Sequence, residues 1–363
     1  MKTTTLAIGS FAALLAGCMG NFGGGNKWTA ADAGGSDTAA ACDNPVIKTM
    51  DITVSGTSMT MVDKVPTGCW NLKGKLTVSG ATTSLKVLLG DIRQVEDLAM
   101  TNTMVTSIDT VAPLAVTRTL DIENNTVLTS LANVALPNDA SCLTYMAAIT
   151  VNGNQALTDL GGVGKAMCVA GLTNISNNVE LAAVTLDSAA RLEGGLEITY
   201  NTRMTTLSFT QLQSVGSITI TNDDALTSMG AINATNIQGD LLIDSNKSLT
   251  TMPSITKAQT TGHDTTEVLV ISGAMMISNN AALTNLGNWA YAGQVLNTHS
   301  VLYPNSITIK NNKNLPVCQA REVGCCVAHS DTAQIKSGNS GNSCNSGAHS
   351  WCYASGCYNY SGN

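Results

Sequence analysis

One short pattern recurs along most of this chain and restricts its fold more than any other feature. The stretch Thr119–Leu131, "TLDIENNTVLTSL", is followed by a near copy at Ala148–Leu160, "AITVNGNQALTDL". Both fit the unit aliphatic-x-aliphatic-x-x-Asn-x-x-aliphatic-x-x-aliphatic. Further copies are Ile175/Asn178/Leu181/Val184, Leu196/Ile198/Asn201/Met204/Leu207 and Ile218/Ile220/Asp223/Leu226/Met229. Three more are Leu241/Ile243/Asn246/Leu249/Met252, Met275/Ile277/Asn280/Leu283/Leu286 and Ile307/Ile309/Asn312/Leu315/Cys318. A degenerate copy supplies Asn102, Val105 and Ile108, and Ile52/Val54 and Leu76/Val78 read as a cap and a first turn.

The unit returns about every 23 residues, with longer steps before Leu157, Leu283 and Leu315, which is the mark of a solenoid carrying loop insertions. Thr, Val, Ile and Asn dominate the units, so each coil is expected to be strand and turn. One coil buries about four aliphatics, each stabilising by roughly 1.5–3 kcal/mol. Ordering its backbone costs about 1–2 kcal/mol per residue, so a coil cannot stand alone and must share both faces with neighbours. The expected fold is an all-β solenoid of about nine to ten coils with a small Cys-rich C-terminal cap.

The "G-x-L-x-I" openings (Gly194-Gly195-Leu196-Glu197-Ile198, Gly216-Ser217-Ile218-Thr219-Ile220, Gly239-Asp240-Leu241-Leu242-Ile243) lead into "N-x-x-L-T-x-L" exits. Together they are similar to the receptor L-domain repeat, a relative of leucine-rich repeats, over about Leu76 to Cys318. The resemblance implies a right-handed solenoid with parallel sheets that binds partners without catalysing reactions. It does not extend to growth-factor binding, because no furin-like cysteine-rich region follows.

The N-terminus reads as a targeting segment. Lys2 precedes the apolar run Leu6–Leu15, which is too short to span a bilayer. The following "LAGC", Leu15 to Cys18, resembles a bacterial lipobox. That resemblance implies cleavage after residue 17, acylation of Cys18 and, with Met19 and Gly20 next, sorting to the outer membrane or cell surface. An ordinary secretory signal with an incidental cysteine is the alternative. Residues 18–45 read as a Gly- and Ala-rich flexible tether, 46–317 as the solenoid and 318–363 as a disulfide-rich module.

Of 11 cysteines, Cys18 set aside leaves an even number, as an oxidising compartment favours. Proximity in sequence pairs Cys42 with Cys69 and Cys142 with Cys168. Cys318, Cys325, Cys326, Cys344, Cys352 and Cys357 are disulfide candidates whose connectivity stays open. With His329 and His349 nearby, a zinc site is the alternative for this tail. Its aromatics, Trp351, Tyr353, Tyr358 and Tyr360, read either as a sticky surface or as that module's own core.

The net charge of -7 is thinly spread with no basic stripe, which argues against nucleic acid. No cofactor motif is present. His263, His299, His329 and His349 fall in irregular segments without a metalloprotease spacing, and Arg191, Arg203 and Arg321 stand alone. Catalysis is therefore not expected, although a polysaccharide-degrading β-helix and a purely structural envelope protein remain as alternatives. The Asn column (Asn125, Asn154, Asn178, Asn201, Asn246, Asn280, Asn312) reads as a structural ladder that satisfies backbone groups where the coil turns. Asp223 in the same column can accept those bonds but cannot donate.

Ligand-binding candidates come from the two long insertions, Pro253–Ser272 and Gly287–Asn305. They carry His263, Asp264, Trp289, Tyr291, His299 and Tyr303 in a chain whose aromatic content is only 4%. Aromatics on rim loops suit sugar stacking or a protein hot spot. Packing of Trp289 and Tyr291 onto the coil is the alternative. The expected role is a lipid-anchored, non-catalytic binding or adhesion protein that takes a polysaccharide or a protein partner.

Overall fold

The computed structural model describes residues 42–60, 64–82, 84–255, 269–289, 305–323, 334–335 and 339. Over these the chain is a β-solenoid. A 15-stranded sheet runs its length, its strands added almost entirely in chain order and parallel to their neighbours. The apolar pairs of the repeat stack in register. Leu120, Ile149, Thr173, Leu196, Ile218, Leu241, Met275 and Ile307 form one column, and Ile122, Val151, Ile175, Ile198, Ile220, Ile243, Ile277 and Ile309 form the next. The side chains of both columns are buried. Thr173 takes the place of the aliphatic that its copy lacks, and its buried hydroxyl makes no hydrogen bond.

Two shorter parallel sheets close the coils. One joins Ala183–Thr185, Thr206–Ser208 and Ser228–Met229; the other runs from Cys168–Val169 through Arg191–Leu192, Ser214–Val215 and Asn236–Ile237 to Val270–Ile271. The glycines that open the repeats mark where coils touch most closely. A Cβ on Gly194 would lie 2.2 Å from the Gly171 carbonyl carbon, and one on Gly216 would lie 2.2 Å from the Glu193 carbonyl oxygen.

The Asn column is buried, not at the surface corner. Each side-chain oxygen accepts the backbone N–H of its counterpart one coil earlier. The chain of bonds runs from Thr103 N to Asn125 (2.9 Å), through Asn154, Asn178, Asn201, Asp223, Asn246 and Asn280 to Asn312, and on to Asn339 (3.0 Å). The side-chain nitrogens donate to the carbonyl that ends the preceding strand, as Asn178 does to Val151 (2.8 Å) and Asn246 to Ile220 (2.9 Å).

The turn itself is made one residue earlier. Asn102, Asn124, Asn177, Tyr200, Asn222, Ser245, Asn279 and Asn311 all have positive φ, between 52° and 60°, and Gly153 joins them at 72°. Each of the non-terminal members donates its N–H to the next coil, as Asn124 does to Asn152 O (2.9 Å) and Tyr200 to Thr221 O (3.1 Å). This corrects two details of the sequence reading. Asn125 is not the corner residue, since Asn124 is. In the degenerate copy Asn102 is the corner residue and Thr103 holds the ladder place, because that coil is one residue shorter between ladder and core.

The first coil is closed by Ser58–Thr60 folding back antiparallel on Ile52–Ser55. Beside it Cys42 is bonded to Cys69, and the Trp70 indole N–H donates to Leu89 O at 2.8 Å. Cys142 is bonded to Cys168, with Cα atoms 5.6 Å apart. At the far end the sheet and the ladder continue past residue 317. After a short helix, Val317–Glu322, the strand Gln334–Ile335 pairs in parallel with Thr308 and Ile309, and Asn339 extends the ladder. The main sheet thus reaches into the cysteine-rich segment. Cys318 is disulfide-bonded; Cys325, Cys326, Cys344, Cys352, Cys357, His329 and His349 lie outside the described residues.

Tyr200 occupies a left-handed corner that Asn or Gly fills at lower cost, and its side chain is half exposed. Tyr200→Asn is expected to raise stability by about 1 kcal/mol, seen as a higher denaturation midpoint with an unchanged circular dichroism spectrum.

Candidate functional site

Of the rim aromatics, Trp289 lies inside the coil. It ends a single 3-10 turn, Gly287–Trp289, is fully buried, and donates its indole N–H to Pro253 O at 2.6 Å. Its ring offers no face to a ligand, and its role is to pin the start of one insertion onto the start of the other. Tyr291, His299, Tyr303, His263 and Asp264 lie outside the described residues, as does Cys18.

The outer side of the main sheet carries the polar chemistry. Strand alternation sends Thr150, Asn174, Glu197 and Thr219 outward in one row, paired strand to strand. A parallel row two residues on comprises Asn152, Ser176, Thr199, Thr221, Asp244 and Ser278, of which Ser176, Thr199, Thr221 and Ser278 are buried. Neighbouring members are about 4.8 Å apart, the spacing of paired strands. Several are bonded to one another: Ser176 Oγ donates to Asn174 Oδ1 (2.6 Å), and Asn177 Nδ2 donates to Asn152 Oδ1 (2.9 Å).

Towards the N-terminal end the same face becomes charged, which sequence reasoning missed. The register sets Lys75 beside Asp97 and Asp97 beside Thr119, with Asp121 two residues further along the third strand. Arg118 Nε donates to Asp97 Oδ1 at 2.9 Å, while its terminal nitrogen pairs with the other carboxylate oxygen. Asp51 Oδ1 accepts the Lys75 backbone N–H at 2.8 Å. Two carboxyls of this cluster, Asp97 and Asp121, are pushed in opposite directions. For Asp97, burial disfavours the charge, but hydrogen bonds from Arg118 and Thr119 and the nearby Arg118 and Lys75 charges together hold its pKa below the usual carboxylate range. For Asp121, burial prevails over Lys75 and raises the pKa, and its Oδ1 has no hydrogen-bond partner. The only signal in the sequence was charge recurring at about the repeat period, at Lys75, Asp97 and Asp121.

A third surface, beyond the ladder, carries threonines whose hydroxyls are already engaged. Thr129 donates to Thr106 O, Thr227 to Thr205 O and Thr284 to Thr250 O, at 3.0–3.2 Å. These serve coil stacking. A concavity between Pro113, Val134, Leu136 and Lys165 has a volume of about 20 Å³, room for about one water. The described surface therefore presents faces, not clefts. Arg203 is paired with Glu180, on an exposed ridge where such a pair contributes at most about 1 kcal/mol.

Trp289→Ala is expected to cost about 3–5 kcal/mol through the cavity it leaves, and Trp289→Phe about 1–2 kcal/mol through the unpaired Pro253 carbonyl. Denaturant unfolding of both variants checks this.

Neither any family model nor any curated protein or solved structure matches this chain.

Proposed function

We propose that the protein is a lipid-anchored, surface-displayed, non-catalytic binding or adhesion protein that recognises a polysaccharide or a protein partner. The observation that carries this reading is the outer face of the main sheet. Asn174, Glu197 and Thr219 stand on consecutive strands in an unbroken polar row. From Asp121 and Thr150 to Thr219, before Leu242 and Met276 take the row's next places, evenly spaced hydroxyl, amide and carboxylate groups match an extended ligand rich in hydroxyls better than a compact small molecule, which takes a concave pocket. Between the two classes of partner, a neutral or weakly charged polysaccharide fits this face better, because it carries few large apolar or aromatic anchors of the kind protein hot spots use. The similarity of the repeat to the receptor L-domain points the same way, towards binding. The two insertions, with Tyr291, His299, Tyr303, His263 and Asp264, are proposed to extend the surface.

A glycan array probed with the full chain in detergent tests the reading. Binding to an extended glycan is expected, with at least tenfold weaker affinity for the Asn174→Ala/Glu197→Ala/Thr219→Ala variant and unchanged unfolding. Absence of glycan binding together with capture of a specific protein would shift the assignment to that partner.

The cluster of Lys75, Asp97, Arg118 and Asp121 favours a second reading, polysaccharide cleavage. One carboxyl whose pKa is raised and one whose pKa is lowered, on one face, supply the elements of acid–base work. Turnover of a glycan that disappears in Asp121→Asn would establish it, whereas simple binding leaves that variant active. The anchor is tested separately: mass spectrometry of the mature chain is expected to find Cys18 as the first residue, bearing acyl groups.

A further inference from the structure

The ladder contains one member of different chemistry. Asp223 is fully buried between Asn201 and Asn246. Its Oδ1 does what an Asn oxygen does, accepting from the Asn201 backbone N–H (2.7 Å) and from Asn201 Nδ2 (3.3 Å). Its other oxygen, Oδ2, stands where every neighbour has a donating nitrogen. Asn178 donates from there to Val151 O, Asn201 to Ile175 O (2.9 Å) and Asn246 to Ile220 O (2.9 Å). By the same register the carbonyl awaiting a donor from Asp223 is that of Ile198, the strand partner of Ile220. Asp223 Oδ2 has no hydrogen-bond partner. An ionised carboxylate there would set an unpaired, buried acceptor towards another acceptor, the costliest arrangement for polar groups away from water.

We propose that Asp223 is held as a carboxylic acid whose Oδ2–H donates to the Ile198 carbonyl, so that the ladder is complete only while this side chain carries its proton, and that losing the proton loosens the joint between the coils of Asn201 and Asp223.

The surrounding groups agree with this geometry. Burial is the main influence and raises the carboxyl's pKa to about 7, against the two hydrogen bonds from Asn201; the charge of Asp224 pushes in the same direction as burial. Among the described residues, the cations beside the ladder on the neighbouring coils are already engaged. On the next coil Lys247 is bonded to Asp224 at 2.6 Å, and on the preceding coil Arg203 is committed to Glu180. The sign follows from linkage. The folded state holds the proton more tightly than the unfolded chain, where the group titrates near 3.8. The stabilisation is complete below that value, declines between about 3.8 and 7, and is gone above about 7. Acidification from neutral pH therefore tightens the middle of the solenoid, in a window where other paired carboxylates act oppositely.

The test compares the full chain with its Asp223→Asn variant, in which a donor is restored at every pH. Near pH 4.5 the two are expected to unfold at similar denaturant concentrations. As pH rises to 7 the ratio of their unfolding constants should change about tenfold per pH unit in favour of the variant, then level off. The wild-type-minus-variant infrared difference should show a carboxylic-acid carbonyl band at pH 5 that is lost by pH 9. A stability difference that does not change with pH, or a difference spectrum lacking that acid band at pH 5, would overturn the proposal.

Discussion

The fold depends on how a coil that turns out of its sheet satisfies the backbone groups it strands there. In water those N–H and C=O groups would be solvated; inside a stack of coils they must find partners or cost several kcal/mol each. The buried column from Thr103 to Asn339 supplies those partners. Each Asn oxygen takes the N–H of the coil before it, and each Asn nitrogen closes off the carbonyl at that coil's strand end. Only a side chain with both an acceptor and a donor at the right reach does both. Such bonds contribute about 1 kcal/mol each, but leaving a coil without them costs more than that, which is why the column is almost uniform.

The left-handed corner follows from the same constraint. To bring the ladder side chain inward, the residue before it must take positive φ, and Asn or Gly does so cheaply. Asn124–Asn125, Asn177–Asn178, Asn279–Asn280 and Asn311–Asn312 are thus paired residues with distinct duties: the first bends the chain and the second bonds the coils. With the corner set, Gly194 and Gly216 let the backbones meet before each strand, and the aliphatic columns fill the interior. A structure built from nearest-neighbour joints is only as strong as each joint, so the single Asp at position 223 makes one joint chemically different from the rest.

Much of this was legible in the residues. The aliphatic spacing marked the strands, the column of Asn marked the ladder, and the disulfides of Cys42 with Cys69 and Cys142 with Cys168 followed from proximity. Legibility failed where the repeat slips by one residue or loses its signature. Thr103 was hidden because its coil is a residue short. Asn339 was hidden because no aliphatic pattern of full length surrounds it. Whether Trp289 faced a ligand or packed onto the coil stayed open because its segment lacks periodicity; the indole in fact finds Pro253 at the base of the neighbouring insertion.

The sequence by itself determined the repeat, its parallel stacking and the identity of the inward-facing columns. These are properties of one unit read along the chain, and burial of an apolar face admits few ways to stack it. What lies beside what across the stack was decided by the tertiary structure. Lys75, Asp97, Arg118 and Asp121 meet only because the strand register, with its irregularity between Val95 and Asp97, brings residues a coil apart to one face. The same register leaves one oxygen of Asp223 facing a carbonyl instead of a donor. Contacts of this kind join positions on different coils, and their geometry depends on loop lengths and bulges that local pattern does not encode.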